Sequence, residues 1–510
     1  MTYSDLDDFF NSKRRPIYYF SEAILKNIER TYTYAHAKNT HGYSESNEYY
    51  NALSFFHTQL YKNPFKTFME LDGFQYKRTK GTLDRYGIPY TEKQERRARI
   101  YFEVTEKMNK QRSDVISQFI TDEDLEGTGI VKLHDDGFQL TTQETIWLAR
   151  RIKSLPINKR TKNIIYKDKL SSQLLNSKEQ MKALTNSLEN QISILIGGAG
   201  TGKSFVTSSI IDQLMENGLQ VAILAPTHKA REALQSKLKR GKVTTVHKFV
   251  HQPVDCQAIV VDEAGMLSTP LLYSLLENYE DQQLIFVGDK NQLPPIEYGR
   301  PFEYMQERFK TVEIKQNHRS ESADIISLGR EVLGQPTNAN MPIQNIEVVA
   351  NANEAFKKGA EVVITHQNRF VNEVNEAQRL KFGQYAISDK FKVGEEIISK
   401  VNITGRYYNG QLFEIVAPNI IKNKRTGREL ILKDAYELEG SFDYAYGLTI
   451  HKSQGSEWDI VAYQPSATDT QNLAYVAITR AKRKLIIIGE LKSVYPPERK
   501  WRQLHENYRI

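Results

Sequence analysis

The sequence predicts an α/β protein with parallel sheets covered by helices, a small β-barrel inserted in its second half and a mainly helical N-terminal region. Three observations carry that reading. Ile192-Ser-Ile-Leu-Ile196 runs into Gly197-Gly-Ala-Gly-Thr-Gly-Lys203-Ser204 and then an amphipathic stretch through Leu214, which reads as strand, glycine loop and helix. From about Leu170 short apolar runs alternate with helical spacing, the pattern of a parallel sheet buried on both faces. Between Phe391 and Leu438 the runs become short and β-prone, with turn residues between them.

At 510 residues the chain has room for three or four domains, each with its own core. No apolar stretch is long enough to span a bilayer, and Met1-Thr-Tyr-Ser-Asp-Leu-Asp-Asp-Phe9 lacks the basic-then-apolar order of a signal peptide, so a cytoplasmic protein without a membrane partner is expected. Cys256 is the only cysteine, which excludes disulfides within the chain and cysteine-based metal clusters. Lys and Arg exceed Asp and Glu by 69 to 62, an excess that permits a polyanionic partner without requiring one.

Residues 1–165 carry no phosphate motif. Ser21 to Tyr34 and Lys93 to Phe119 have helical spacing, with a loop-like Lys38 to Ser46 before the second. Tyr49, Tyr50, Phe55, Phe56, Phe65, Phe68, Phe74 and Tyr76 are dense enough to suggest either a core or a base-stacking surface, and core is the commoner use. Tyr76-Lys77-Arg78-Thr-Lys80, followed by Asp84-Arg85-Tyr86, reads as a solvated basic face, with a DNA contact as the alternative.

In the first α/β region the expected strands are Ile192–Ile196, Leu219–Ala225, Ala258–Val261 and Leu284–Val287. Each ends in polar residues, and ligands in such sheets bind at the carboxyl ends of the strands. Gly197, Gly200 and Gly202, with Thr201 between, let backbone N–H groups close around phosphate oxygens at a helix N-terminus. Lys203 is placed to reach the β- and γ-phosphates and Ser204 to hold Mg²⁺. A nucleoside triphosphate is therefore the expected ligand. Asp262-Glu263 after a buried strand supplies one carboxylate for Mg²⁺ and a neighbour to activate water, and Gln292 after the next strand is placed to sense the γ-phosphate. That set favours hydrolysis over storage.

The second half adds strands at Glu361–Thr365 and Leu485–Gly489, with the β-rich insertion between them in Gly394–Ile398, Gln411–Val416 and Leu430–Leu432. It also holds Thr449-Ile-His451-Lys452-Ser-Gln-Gly-Ser-Glu457 and Tyr475-Val-Ala-Ile-Thr479-Arg480-Ala.

Taken with Ala225-Pro-Thr-His-Lys229, Thr244-Thr-Val-His247, Gly288-Asp-Lys-Asn-Gln-Leu-Pro294 and Gln316-Asn-His-Arg319-Ser, these strings resemble superfamily 1 helicases, in particular the RecD-like branch that includes Dda-like enzymes. The resemblance covers about residues 170–490. It implies two RecA-like P-loop domains with ATP between them: 166–309, and 310–387 with 441–510, the second interrupted by an SH3-like barrel at 388–440 after a helical region at 1–165. It further implies that Gln180 reads adenine, that Arg319 and Arg480 reach the γ-phosphate, and that Mg²⁺ accompanies ATP. Single-stranded DNA falls to Thr227, Lys229, Thr245, His247, Gln367, Asn368, Thr449, His451 and Lys452, where short polar side chains and backbone amides grip phosphates without reading sequence.

The activity this implies is a monomeric, Mg²⁺-ATP-driven helicase moving 5′ to 3′ on single-stranded DNA and at single/double-strand junctions, with replication, repair or recombination proteins as candidate partners of the N-terminal region. Two departures from the pattern bear on it. Only Lys248 to Ala258 is available where the family places a strand-separating hairpin. Residues 1–165 resemble the extension of longer RecD-type helicases only at Asn63-Pro-Phe, Leu71-Asp-Gly-Phe74, Gly87-Ile-Pro89 and Trp147 to Ile152. A translocase that strips proteins from DNA without much unwinding, and an ATP-gated DNA-binding or loading protein, are the alternatives.

Overall fold

The computed structural model describes residues 59–60, 63–69, 76–109, 125–126, 128, 130–132, 140–157, 159–161, 172–295, 297–316, 322–337, 342–380, 383–403 and 405–491. The chain forms two compact units: Met1–Ser154 with Ser268–Leu276 and Glu297–Gly299, and Leu155–Leu267 with Glu277–Ile296 and Arg300–Ile510.

In the first unit helices Pro64–Met69, Tyr76–Tyr86, Glu92–Asn109 and Gln143–Ser154 accompany a short antiparallel pair, Ile130–Lys132 with Leu140–Thr142. Phe65 and Phe68 are buried, Phe65 stacking 5.9 Å from Tyr76, so these aromatics serve as core. The basic segment at Tyr76 is a helix, and Lys80 pairs with Glu95 of the next helix. The expected helix at Ser21 to Tyr34, the loop at Lys38 to Ser46, the aromatics Tyr49, Tyr50, Phe55, Phe56 and Phe74, and the end of the Lys93 to Phe119 helix lie outside the described residues.

The second unit holds two parallel sheets. In the first, β1 (Ile192–Gly197), β2 (Val221–Ala225), β3 (Val243–Thr245), β4 (Ala258–Val261), β5 (Gln283–Gly288) and β6 (Lys310–Ile314) lie in the order β3-β2-β4-β5-β1-β6, every pair parallel. β1, β4 and β5 are buried along their whole length, as their largely apolar runs, broken only by Ser193 and Gln283, require when helices cover both faces. Among those helices are α1 (Lys178–Glu189), α2 (Lys203–Glu216) and α3 (His228–Gln235), which bring Leu184, Ile210, Leu214 and Leu234 to the same core. Between Thr245 and Ala258 the chain makes one short helix, α4 (Val246–His251), and a connector, with no hairpin.

The second sheet is built from β7 (Ile346–Val349), β8 (Val362–Thr365), β14 (Gly447–Thr449), β15 (Trp458–Gln464) and β16 (Ala481–Ile488), in the order β14-β8-β15-β16-β7 and again parallel throughout. Helices α5 (Ala323–Val332), α6 (Asn368–Gln378), α7 (Ile450–Ser453) and α8 (Gln471–Ile478) accompany it. Between α6 and β14 comes a five-stranded antiparallel sheet of β9 (Glu396–Ser399), β10 (Leu412–Ala417), β11 (Ile420–Asn423), β12 (Glu429–Ile431) and β13 (Phe442–Tyr444), with Phe391, Tyr407, Phe413 and Phe442 at its core. Where this insertion rejoins the sheet, buried Asn375 of α6 accepts the Gly447 N–H at 2.7 Å and donates to the carbonyls of Tyr444 and Gly447.

Candidate active site

The glycine loop leaves the carboxyl end of β1 and enters α2 through Gly202, whose φ of 84° is left-handed; Gly200 is also left-handed at 77°. At Gly197 a Cβ would lie 2.7 Å from Thr201 Oγ1 and 3.0 Å from the Ile314 carbonyl, so glycine is what lets β6 pass alongside. Lys203, the first residue of α2, folds its ammonium onto the Gly197 and Gly198 carbonyls, the latter at 3.1 Å, and stands 3.9 Å from Asp289 Oδ2. Ser204 Oγ accepts from Lys237 Nζ at 3.1 Å.

Gln180 sits in the first turn of α1, capped by Ser177, and is fully buried. Its Nε2 donates to the Thr201 carbonyl at 3.2 Å, while its Oε1 has no hydrogen-bond partner among the described residues. A buried amide oxygen left open beside the glycine loop is the acceptor an exocyclic amine needs.

The acidic pair follows β4. Burial, then Glu263 alongside, push the Asp262 carboxyl up to about 7, while Lys203 pulls it the other way. Such a site favours a bound cation, which would return the group to its carboxylate form. Glu263 has φ 52° and is the one non-glycine residue with positive φ among the described residues. Backbone held there costs about 1–3 kcal/mol and persists where the surroundings fix it, commonly at functional sites. Gln292 lies on the loop after β5, its N–H donating to the Asp289 carbonyl.

Helix α8 of the second sheet meets this loop. Tyr475 Oη accepts the Ala199 N–H and donates to Asp289 Oδ2, each at 3.0 Å, and Asn472 Nδ2 donates to the Asn291 carbonyl at 2.9 Å. Arg480, two residues beyond α8, is buried; its Nε donates to the Val476 carbonyl of α8 and its Nη1 to the Ser456 carbonyl ahead of β15. Arg319 lies outside the described residues.

The expected DNA residues gather at the carboxyl ends of both sheets. Thr227, Thr245 and Thr449 cap α3, α4 and α7, accepting from Ala230, Lys248 and Lys452 N–H. Thr245 is in register with Ala225 in the first sheet, and Thr449 with Thr365 in the second, so the two sheets present matching edges. His247, Asn368, His451 and Lys452 are exposed. Gln367 Nε2 donates to Ser466 Oγ at 2.8 Å, next to His366, which faces buried Asp469 at 3.2 Å. Lys229 is instead buried, its ammonium donating to the Lys452 carbonyl across the sheets; burial, then Arg480, bring its pKa down to about 7. Alongside it Tyr408 of the inserted segment stacks on His228, ring centroids 3.8 Å apart, beneath the Arg231 guanidinium.

Asp289, Tyr475, Lys237 and Tyr408 had no role in the sequence reading. One signal for Tyr475 was available: a lone hydroxyl in the apolar helix Leu473-Ala-Tyr475-Val-Ala-Ile478, which on burial must find partners.

A glycine loop, an acidic pair after β4, with β5 between that strand and β1, and a helix of a second parallel sheet laid against the loop define a P-loop nucleotide-binding protein. Residues 175–341 match the AAA domain family and residues 444–488 the UvrD-like helicase C-terminal domain family. Among curated proteins the chain is 27% identical over 358 residues to the ATP-dependent RecD2 DNA helicase of Deinococcus radiodurans, an alignment covering 61% of this chain and 49% of that one. It is 25% identical over 403 residues to the RecBCD enzyme subunit RecD of Mycolicibacterium smegmatis, covering 61% and 70%. Over about three fifths of its length the chain is similar to these two proteins. It spans about half the length of the Deinococcus relative. Among solved structures it aligns with Bacteroides Pif1 bound to single-stranded DNA at 17% identity and a TM-score of 0.44, covering 67% of this chain and 97% of that one. No helix among the described residues is long and apolar enough to cross a membrane.

Proposed function

We propose that this chain is an ATP-dependent DNA helicase that hydrolyses ATP with Mg²⁺ and moves 5′ to 3′ on single-stranded DNA as a monomer. The observation that carries the reading is the seating of α8, the helix that leads into Arg480, against the glycine loop and Asp289. Opening and closing at that contact link phosphate chemistry to the spacing of the two sheets, and the capped helices at both sheet edges provide two grips whose separation then changes.

In this reading residues 166–309 form one RecA-like domain and 310–387 with 441–510 the other, with 388–440 an SH3-like barrel and 1–165 a helical accessory region. Gln180 Oε1 receives the adenine amine, and Gly197, Gly200, Thr201, Gly202 and Lys203 hold the phosphates. Ser204 and Asp262 hold Mg²⁺, which when bound neutralises phosphate charge. Glu263 takes the proton of the attacking water, Gln292 orients that water, and Arg319 and Arg480 offset charge on the γ-phosphate. Thr227, Thr245, His247, Gln367, Asn368, Thr449, His451 and Lys452 contact the DNA strand. Lys229 serves from behind, tying α3 to the loop of α7.

The test is unwinding of one duplex carrying either a 5′ or a 3′ single-stranded tail, with ATP turnover recorded in parallel. Unwinding from the 5′ tail alone is expected; unwinding from the 3′ tail alone would overturn the polarity. A second reading, a translocase that displaces proteins with little unwinding, is favoured by the missing hairpin between Thr245 and Ala258. Strong DNA-stimulated turnover with no unwinding from either tail would select it.

A further inference from the structure

Tyr475 makes the contact by which α8 seats on the first sheet, and no hydrolytic step was assigned to it. Its single hydroxyl is spent twice, accepting the Ala199 N–H of the glycine loop and donating to Asp289 Oδ2, both at 3.0 Å. Asp289 is itself buried, accepts the Asn291 N–H at 2.9 Å, and lies 3.9 Å from the Lys203 ammonium. Burial, then Asp289, push the phenol far above its usual range, so it stays protonated and keeps its donor. The surroundings are cut to fit this side chain. At Gly198 a Cβ would stand 3.1 Å from the Tyr475 oxygen, and at Gly329 of α5 one would stand 3.3 Å from its ring.

We propose that Tyr475 is the positioning residue that couples nucleotide binding to DNA binding, because one hydroxyl on the second sheet fixes both the backbone of the glycine loop and the carboxylate that shares Lys203. When α8 shifts against the first sheet, the bonds to Ala199 and Asp289 break together, so the loop backbone and the lysine's anionic neighbour are released in one movement. The same shift is felt at the DNA side, because α7, whose Lys452 carbonyl Lys229 holds, follows directly on β14 of the second sheet. By linkage, whatever nucleotide does to DNA affinity DNA must do to nucleotide affinity, and by the same factor.

The proposal rests on the reading that the chain binds both ATP and DNA, and the test separates the two. The dissociation constant for a single-stranded oligonucleotide is measured without nucleotide and with a non-hydrolysable ATP analogue, for wild type and Tyr475→Phe, alongside melting temperature. Couplings between two sites commonly amount to about 5–150-fold; the ratio in Tyr475→Phe is expected to fall to within about twofold of unity while the melting temperature stays near that of wild type. A wild-type ratio in Tyr475→Phe overturns the proposal, as does a drop explained by an unfolded variant whose counterpart Gly198→Ala, which presses on the hydroxyl from the other side, keeps the wild-type ratio. Hydrogen exchange at the Ala199 amide without nucleotide reads the contact directly. About tenfold faster exchange is expected in Tyr475→Phe, with β1 unchanged, and an unchanged Ala199 rate refutes the role even if the wild-type chain proves to bind no DNA.

Discussion

Gln180 offers a test in which an effect on function separates from an effect on stability. Among the described residues its Nε2 makes one hydrogen bond, to the Thr201 carbonyl, and its Oε1 makes none, although the side chain is fully buried. Replacing it by methionine keeps the volume and removes both polar atoms. The lost bond takes its donor from the buried Thr201 carbonyl, which costs about 1–3 kcal/mol, and removing a buried acceptor without a partner returns about as much. The nucleotide-free Gln180→Met protein is therefore expected to stay within about 1 kcal/mol of wild type. If Oε1 receives the adenine amine, the same change costs one hydrogen bond on binding, about two- to tenfold in ATP affinity, and erases the preference for ATP over GTP. Urea denaturation without nucleotide and competition of ATP and GTP for a fluorescent nucleotide measure the two effects. A variant that loses more than about 2 kcal/mol while keeping the wild-type preference would show the glutamine to be a core amide with no part in reading the base.

Lys203→Ala should abolish ATP hydrolysis and keep most single-stranded DNA binding; wild-type turnover in that variant would remove the lysine from the chemistry. Glu263→Gln should bind ATP normally and barely hydrolyse it, since the amide cannot take a proton from water. Rapid turnover there would end its assignment as base. Lys229 gives a pH signature. In the folded chain it loses its proton near 7, and in the unfolded chain only near the ordinary lysine value, so between these the unfolded chain holds the extra proton and folding is increasingly favoured as pH rises from about 7. Stability of wild type relative to Lys229→Met should thus climb toward pH 10 by at most about 1.4 kcal/mol per pH unit, and a flat difference would refute the burial of that ammonium.

Legibility in the sequence followed the distance over which each feature is decided. β1, β4, β5 and β8 were readable to within a residue or two because largely apolar runs leave a parallel strand nowhere else to go. β3, at three residues, and β6, whose exposure varies along its length, were not, since neither run differs from a loop until its neighbour is in place. The first helical turn at Lys203 and the acidic pair were readable because their chemistry sits in consecutive residues. The Tyr475 contacts join residues 276 and 186 positions apart, and no local spacing encodes them. Lys229 shows the converse: the resemblance put it among the DNA contacts, whereas the structure buries it with its ammonium on the Lys452 carbonyl.

The insertion departs from the end of α6 and returns at β14, and Asn375 of α6 holds the point of return through Tyr444 and Gly447. Its roots therefore lie side by side. Such a segment can be lengthened, trimmed or exchanged with little penalty, about 0.6 kcal/mol of closure entropy for each doubling of its length, and without moving the register of the sheet beneath. The second sheet behaves as a socket. Whatever tool is fitted into it, the strands that present Thr449 and Gln367 stay where they are.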